Sequence, residues 1–179
     1  MSEYVPEWVT KIDVAIRLIR AAIRLQFEEC DPVALHSIVA AAHRLISDLA
    51  HHRHIDPSRL DKLDRHAANF FKHADRDPNG RVNIEPLRTL TEMLLFDAVQ
   101  TLTRINPDIP HEAKLYWSWY MVNNEQDFRG AGPAIDDIIR NSQMLKAKSK
   151  HEILQLLRLQ QILNADEPLP GWAQHGPTE

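Results

Sequence analysis

Three acidic residue–proline pairs, Asp31-Pro32, Asp56-Pro57 and Glu85-Pro86, cut the first half of this chain into helix-length pieces. An acidic side chain ahead of a helix accepts backbone N–H groups that have no intrahelical partner. Proline fits the first helical turn, where its missing donor costs nothing. Further on, Ser149-Lys150-His151-Glu152 spells a capping box, in which each side chain satisfies the other's backbone donor. Between these marks the apolar residues recur every three or four positions, the period of a helix face and not of a strand. The chain has 5 Gly in 179 residues, and its prolines stand mostly where helices should start or stop. It therefore reads as all-α: a bundle of about seven helices with antiparallel neighbours and no sheet.

The first helix is predicted over residues 9–29, with Ile12, Ile16, Ile19 and Ile23 on one face and Leu18 and Leu25 widening it. The second runs from the Asp31 cap to Leu49, with Leu35, Ile38, Ala42, Leu45 and Leu49 inward. Few charges precede Arg44, and Ala40-Ala41-Ala42 lets a neighbour approach closely, so this helix is expected to be central. The short connection makes it the antiparallel partner of the first. A third helix is predicted over 56–74 through Leu60, Leu63, Ala67, Phe70 and Ala74. The fourth starts at Glu85-Pro86 and stops before Asn106, using Leu87, Leu90, Leu94, Ala98 and Ile105. The fifth covers 111–124, the sixth 133–147 after a break at Gly130-Ala131-Gly132, and the seventh runs from the Ser149 cap to Asn164. Residues 1–128 read as the bundle core. Residues 129–164 read as two further helices packed on that core or on a dimer partner, and 165–179, which carry Trp172, as an irregular tail.

The net charge of −4 gives no bulk attraction to nucleic acid or to an anionic membrane, and leaves a local basic face open. Cys30 is the single cysteine, so no intrachain disulfide and no thiolate zinc pattern is expected. The first residues carry no basic segment followed by an apolar run, and no uncharged apolar run approaches the ~20 residues that span a bilayer. A cytoplasmic location without membrane insertion is the expectation. No cofactor is implied.

Several groups of residues carry possible chemistry. Arg17, Arg20 and Arg24 share a strip of the first helix with Asp13, where they face either a phosphate or solvent. Leu115-Tyr116-Trp117-Ser118-Trp119-Tyr120-Met121 either lines a ligand pocket, with Trp117 and Tyr120 as binding groups, or closes the bundle as a buried helix. His51-His52-Arg53-His54 reads as a polar helix end, where the macrodipole favours cations. Asp75, Asp77, Asn79 and Gly80 match the opening of a calcium loop, but Pro86 stands where its bidentate Glu belongs. Asp75 and Asp77 then read as turn caps. His36 and His43 are seven residues apart, as are His66 and His73, about 10 Å along a helix axis. That is too far for one ion on one helix. His43, His73, Asp75 and Asp77 remain candidate ligands only if different helices bring them together; otherwise the histidines are buried, hydrogen-bonded side chains without metal.

Asn69-Phe70-Phe71-Lys72-His73 resembles the end of the motif of HEPN domains, small helical bundles found in many RNases and toxin–antitoxin proteins. In that family an Arg lies a turn or so before a His, often followed by Asn, and the pair cuts RNA without metal once two motifs meet in a dimer. The resemblance implies an RNase-like or nucleotide-binding domain. His73 would be its acid or base, Lys72 would neutralise developing charge, and Asn69 would assist. Here Ala68 occupies the position of the Arg. More broadly, residues 27–36, 69–78 and 115–128 resemble a family of small all-helical bacterial proteins without an established activity, over roughly residues 10–128. The sequence as a whole favours a binding or assembly protein, a homo-oligomer or the partner of another protein. A hydrolase acting through His73 and a metal or small-ligand binder are the alternatives.

Overall fold

The computed structural model describes residues 8–56 and 79–163, and all regular structure in them is helical. Eight helical segments are described: α1 (Lys11–Phe27), α2 (Pro32–His52), α3 (Ile84–Ile105), α4 (His111–Asn123), α5 (Glu125–Phe128), α6 (Pro133–Asn141), α7 (Gln143–Lys146) and α8 (Lys150–Leu163). The predicted helix over 56–74 and the tail from Ala165 lie outside the described residues.

The helix starts follow the capping chemistry, with two revisions. Asp31 accepts from the amides of Val33 and Ala34, both at 3.0 Å, and Pro32 opens α2. Ser149 and Glu152 form the expected box, with Ser149 N–H donating to Glu152 Oε2 at 2.8 Å and Glu152 N–H to Ser149 Oγ at 3.3 Å. A second box, not among the predicted caps, starts α1 at Thr10 and Asp13 rather than at residue 9. The Thr10 hydroxyl and amide both donate to Asp13, and these bonds hold its carboxyl below the usual range. At α3 the cap is Asn83, whose Oδ1 accepts from Glu85 N–H at 3.1 Å, so Glu85 and Pro86 already lie inside the first turn.

Two helix ends use a left-handed residue that is not glycine. Glu29 (φ 52°) ends α1 and His54 (φ 58°) ends α2. In each case the next amide reaches back across the turn, Cys30 N–H to Leu25 O at 3.3 Å and Ile55 N–H to Ala50 O at 3.0 Å. These are Schellman closures, usually signalled by Gly. Without that signal the predicted end of α1 falls two residues late and that of α2 three residues early. The predicted sixth helix is broken at Ser142, whose N–H is shared between Ile138 O and Ile139 O.

α1, α2 and α3 form the body, with α2 in the middle. α2 is the one described helix long and apolar enough, by composition, to cross a membrane; in the fold it lies against α1 and α3. α1 and α2 are antiparallel through their short connection. α2 and α3 run parallel: His36 meets Thr91, His43 meets Asp97, and the Arg53 guanidinium donates to Ile105 O at the last turn of α3. Ile19 and Ile23 of α1, Val39 and Ile46 of α2, and Leu94, Leu95 and Leu102 of α3 fill the centre. Tyr116 and Met121 of α4 close one side, and Ile153 and Leu157 of α8 pack into the same core.

The buried stripe of α2 differs from the expected one. Leu35 and Ala42 are buried as predicted, but Ile38, Leu45 and Leu49 sit half-buried on its flank. The centre of the stripe is Val39, Ile46 and Ala50, with His36, His43 and Ser47 beside them. The two histidines are inside, as buried, hydrogen-bonded side chains are expected to be.

Candidate functional site

A buried ionisable or polar side chain serves one of two roles, binding something else or holding two helices together. Between α1 and α4 the second role applies. Arg20 Nε and Nη2 both donate to Glu112 Oε1, at 3.0 and 2.8 Å, and Arg24 Nη2 reaches the same oxygen at 3.4 Å. Glu112 is buried, 6% exposed, in the first turn of α4, where a carboxylate also complements the helix dipole. Two of the three strip arginines are thus engaged by a carboxylate of the same chain. Arg17, on the same strip, is exposed.

The aromatic run of α4 packs against its own neighbours. Phe27 meets Trp119 edge-on with centroids 5.0 Å apart, and Tyr120 stacks on Phe96 at 4.4 Å. Phe128 tilts against Phe96 at 5.3 Å. Such pairs add to the area they bury. Tyr116 is fully buried and donates its hydroxyl to Glu92 O at 3.1 Å. Burial foremost, then the Glu92 carboxylate, hold its phenol well above the usual range, and Tyr120 is raised for the same two reasons and by Asp127. Trp117 is half-buried, and its indole nitrogen has no acceptor among the described residues.

The two histidines of α2 face α3. Thr91 donates its hydroxyl hydrogen to Leu87 O at 2.6 Å, so its lone pair faces His36, whose Nδ1–H donates to it at 2.9 Å. His43 Nε2 donates to Asp97 Oδ2 at 2.9 Å. Each His bridges α2 and α3, His36 near the start of the interface and His43 near its middle. Among the described residues no three His, Cys, Asp or Glu side chains converge as a metal set. His51, His52 and His54 are exposed at the α2 terminus. Asn69, Lys72, His73, Asp75 and Asp77 lie outside the described residues.

One cavity opens at the corner where the α1–α2 turn, the start of α3 and the start of α8 meet. It encloses about 60 Å³. Leu25, Pro32 and Leu35 supply apolar wall, Gln26 and Thr91 supply polar floor, and Arg88, Lys150, Glu29 and Glu92 supply charge. Gln26 Nε2 donates to Glu92 Oε1 at 2.5 Å, and Lys150 Nζ stands 4.0 Å from that same oxygen. Part of the wall, Glu29, Cys30, Pro32 and Leu35, comes from the α1–α2 turn and the start of α2.

Cys30 also lines this cavity and donates weakly to Asp31 O at 3.6 Å. Partial burial, then the Asp31 and Glu28 carboxylates, push its thiol up. The thiolate is the reactive form. Alkylation of this single cysteine should therefore be slower at neutral pH than for an unstructured cysteine peptide. It should accelerate only above the ordinary thiol range, a pH–rate profile that iodoacetamide labelling followed by mass spectrometry measures directly.

Sequence reasoning locates Arg20, Arg24, His43 and Tyr120 as side chains of note but misses their partners. Glu112 is 92 residues from Arg20, and Thr91 is 55 from His36. No local pattern encodes such pairings. The nearest signal is an acid in the first turn of α4, which the helix dipole alone explains. Comparison of the chain with protein-family models, with curated proteins and with solved structures finds no match in any of the three.

Proposed function

We propose that this chain works by association, as a helical assembly protein that pairs with a second copy of itself through the α7–α8 flank. What supports this is the contrast between its inside and that flank. Among the described residues, Arg20 and Arg24, His36 and His43, and Tyr120 are engaged across helix interfaces by Glu112, by Thr91 and Asp97, and by Phe96. Met144 of α7 and Leu159 of α8, by contrast, stand 69% and 56% exposed. Contiguous apolar surface in water marks a contact site, and besides Trp8 and Val9 ahead of α1 these are the large apolar side chains exposed among the described residues. α8 is already held to the body by Ile153, Leu154 and Leu157, so its outer face is presented on a fixed support.

Multi-angle light scattering at several concentrations tests this. The wild-type chain is expected to run as a dimer at micromolar concentration, and Met144→Asp/Leu159→Asp to shift toward monomer by at least about tenfold in Kd, since a charge buried at each contact costs well over 1.4 kcal/mol. A wild-type chain that stays monomeric throughout, or a double variant that dimerises as well as wild type, overturns the proposal.

A further inference from the structure

We infer that the corner cavity between the α1–α2 turn, α3 and α8 binds a small zwitterionic amino acid of the glycine or alanine class. The volume sets the size. At the ~30 Å³ that a water occupies in the liquid, 60 Å³ is room for about two water-sized groups below the rim, so only a small molecule seats there, with the rest of it at the opening. The rim sets the charge. Two cations, Arg88 and Lys150, and two carboxylates, Glu29 and Glu92, line the same opening. Their internal pairing is incomplete. Arg88 has one carboxylate within 4 Å among the described residues, Glu85 of its own helix at 3.9 Å. Glu29 has no ion pair among the described residues, and Lys150 meets Glu92 only at 4.0 Å.

A simple anion would satisfy Arg88 and leave Glu29 facing it. A simple cation would do the reverse. An amino acid carries both charges a few ångströms apart, its carboxylate taken by Arg88 and Lys150 and its ammonium by Glu29 and Glu92. Behind the rim, Gln26 is 4% exposed and holds Glu92 in place. Leu25, Pro32 and Leu35 supply the apolar part of the lining, against which a methyl group can rest.

Two readouts on the full chain test this. In heteronuclear NMR titrations, glycine and alanine should shift the amides of Gln26, Cys30 and Thr91 saturably, while acetate and methylammonium at equal concentration should not. Glycine should also slow iodoacetamide labelling of Cys30, which lines the same cavity. Arg88→Met should weaken glycine binding by about tenfold or more, the loss of a charge-assisted hydrogen bond, and Glu29→Gln should weaken it in the same direction. Both side chains are surface-exposed, so these variants retain the core. The inference is overturned if neither amino acid saturates at millimolar concentration, if acetate binds as well as glycine, or if Arg88→Met and Glu29→Gln both bind like wild type.

Discussion

Replacing Tyr116 with alanine is expected to lower the unfolding free energy by about 3–5 kcal/mol, the range for emptying a buried aromatic site. Tyr116 is fully buried where α1, α3 and α4 meet. Its ring lies 6.2 Å from Phe27, 5.8 Å from Trp119 and 6.2 Å from Tyr120, so the void would open inside a ring cluster with no small side chain to relax into it. Tyr116→Phe keeps the ring and removes the hydroxyl that donates to Glu92 O, so its expected cost is only about 1 kcal/mol. The pair separates packing from hydrogen bonding at one position. It also separates their pH dependence. Burial holds the Tyr116 phenol protonated well above its usual range. The folded pKa is thus above the unfolded value of about 10, and the unfolded chain gives up its proton first. Stability is full below pH ~10 and falls as pH rises beyond it. Urea unfolding at pH 7 and above pH 10 should show a steeper alkaline loss for wild type than for Tyr116→Phe.

The fold is legible in the sequence to the extent that local rules govern it. Asp31-Pro32 and Ser149–Glu152 mark two helix starts because caps are built from neighbours in the chain. Periodicity finds the apolar faces for the same reason. The errors have one source as well. Glu29 and His54 close helices in a left-handed conformation that glycine would have announced, and Schellman bonds to Leu25 O and Ala50 O hold them there. His36 and His43 lie inside the bundle because Thr91 and Asp97 on a parallel helix receive their N–H groups. The sequence points to buried, hydrogen-bonded histidines but not to their partners, so the predicted α2 stripe follows Ile38, Leu45 and Leu49 instead of Val39, Ile46 and Ala50. The corner cavity is illegible for the same reason: Gln26, Arg88 and Lys150 belong to three different helices. The exposed Met144 and Leu159 are legible only as apolar residues of the C-terminal helices, since exposure depends on what the rest of the chain covers.

Glu112→Ala should be the other costly substitution, lowering stability by about 2–3 kcal/mol. Breaking a buried ion pair from one side costs about 3–5 kcal/mol because the remaining charge is left without its partner. The lower figure applies because the Arg20 and Arg24 side chains are 30% and 40% exposed, and water screens what the carboxylate leaves behind. Arg20→Lys should already cost about 1 kcal/mol, since Nε and Nη2 both bind Glu112 Oε1 and an ammonium cannot reproduce that fork. The informative comparison is the combined change. If the cluster acts mainly by avoiding an unpaired buried charge, Glu112→Leu with Arg20→Met should recover most of what Glu112→Ala loses, because apolar side chains of similar volume replace ion pairs at little cost. Denaturant midpoints at an unchanged m-value would measure all three. A loss under about 0.5 kcal/mol for Glu112→Ala, the size expected of an exposed pair, would mean that α4 is held to α1 by Phe27, Tyr116 and Trp119 alone. Full recovery in the double variant would assign the arginines to the register of α1 against α4 rather than to its strength.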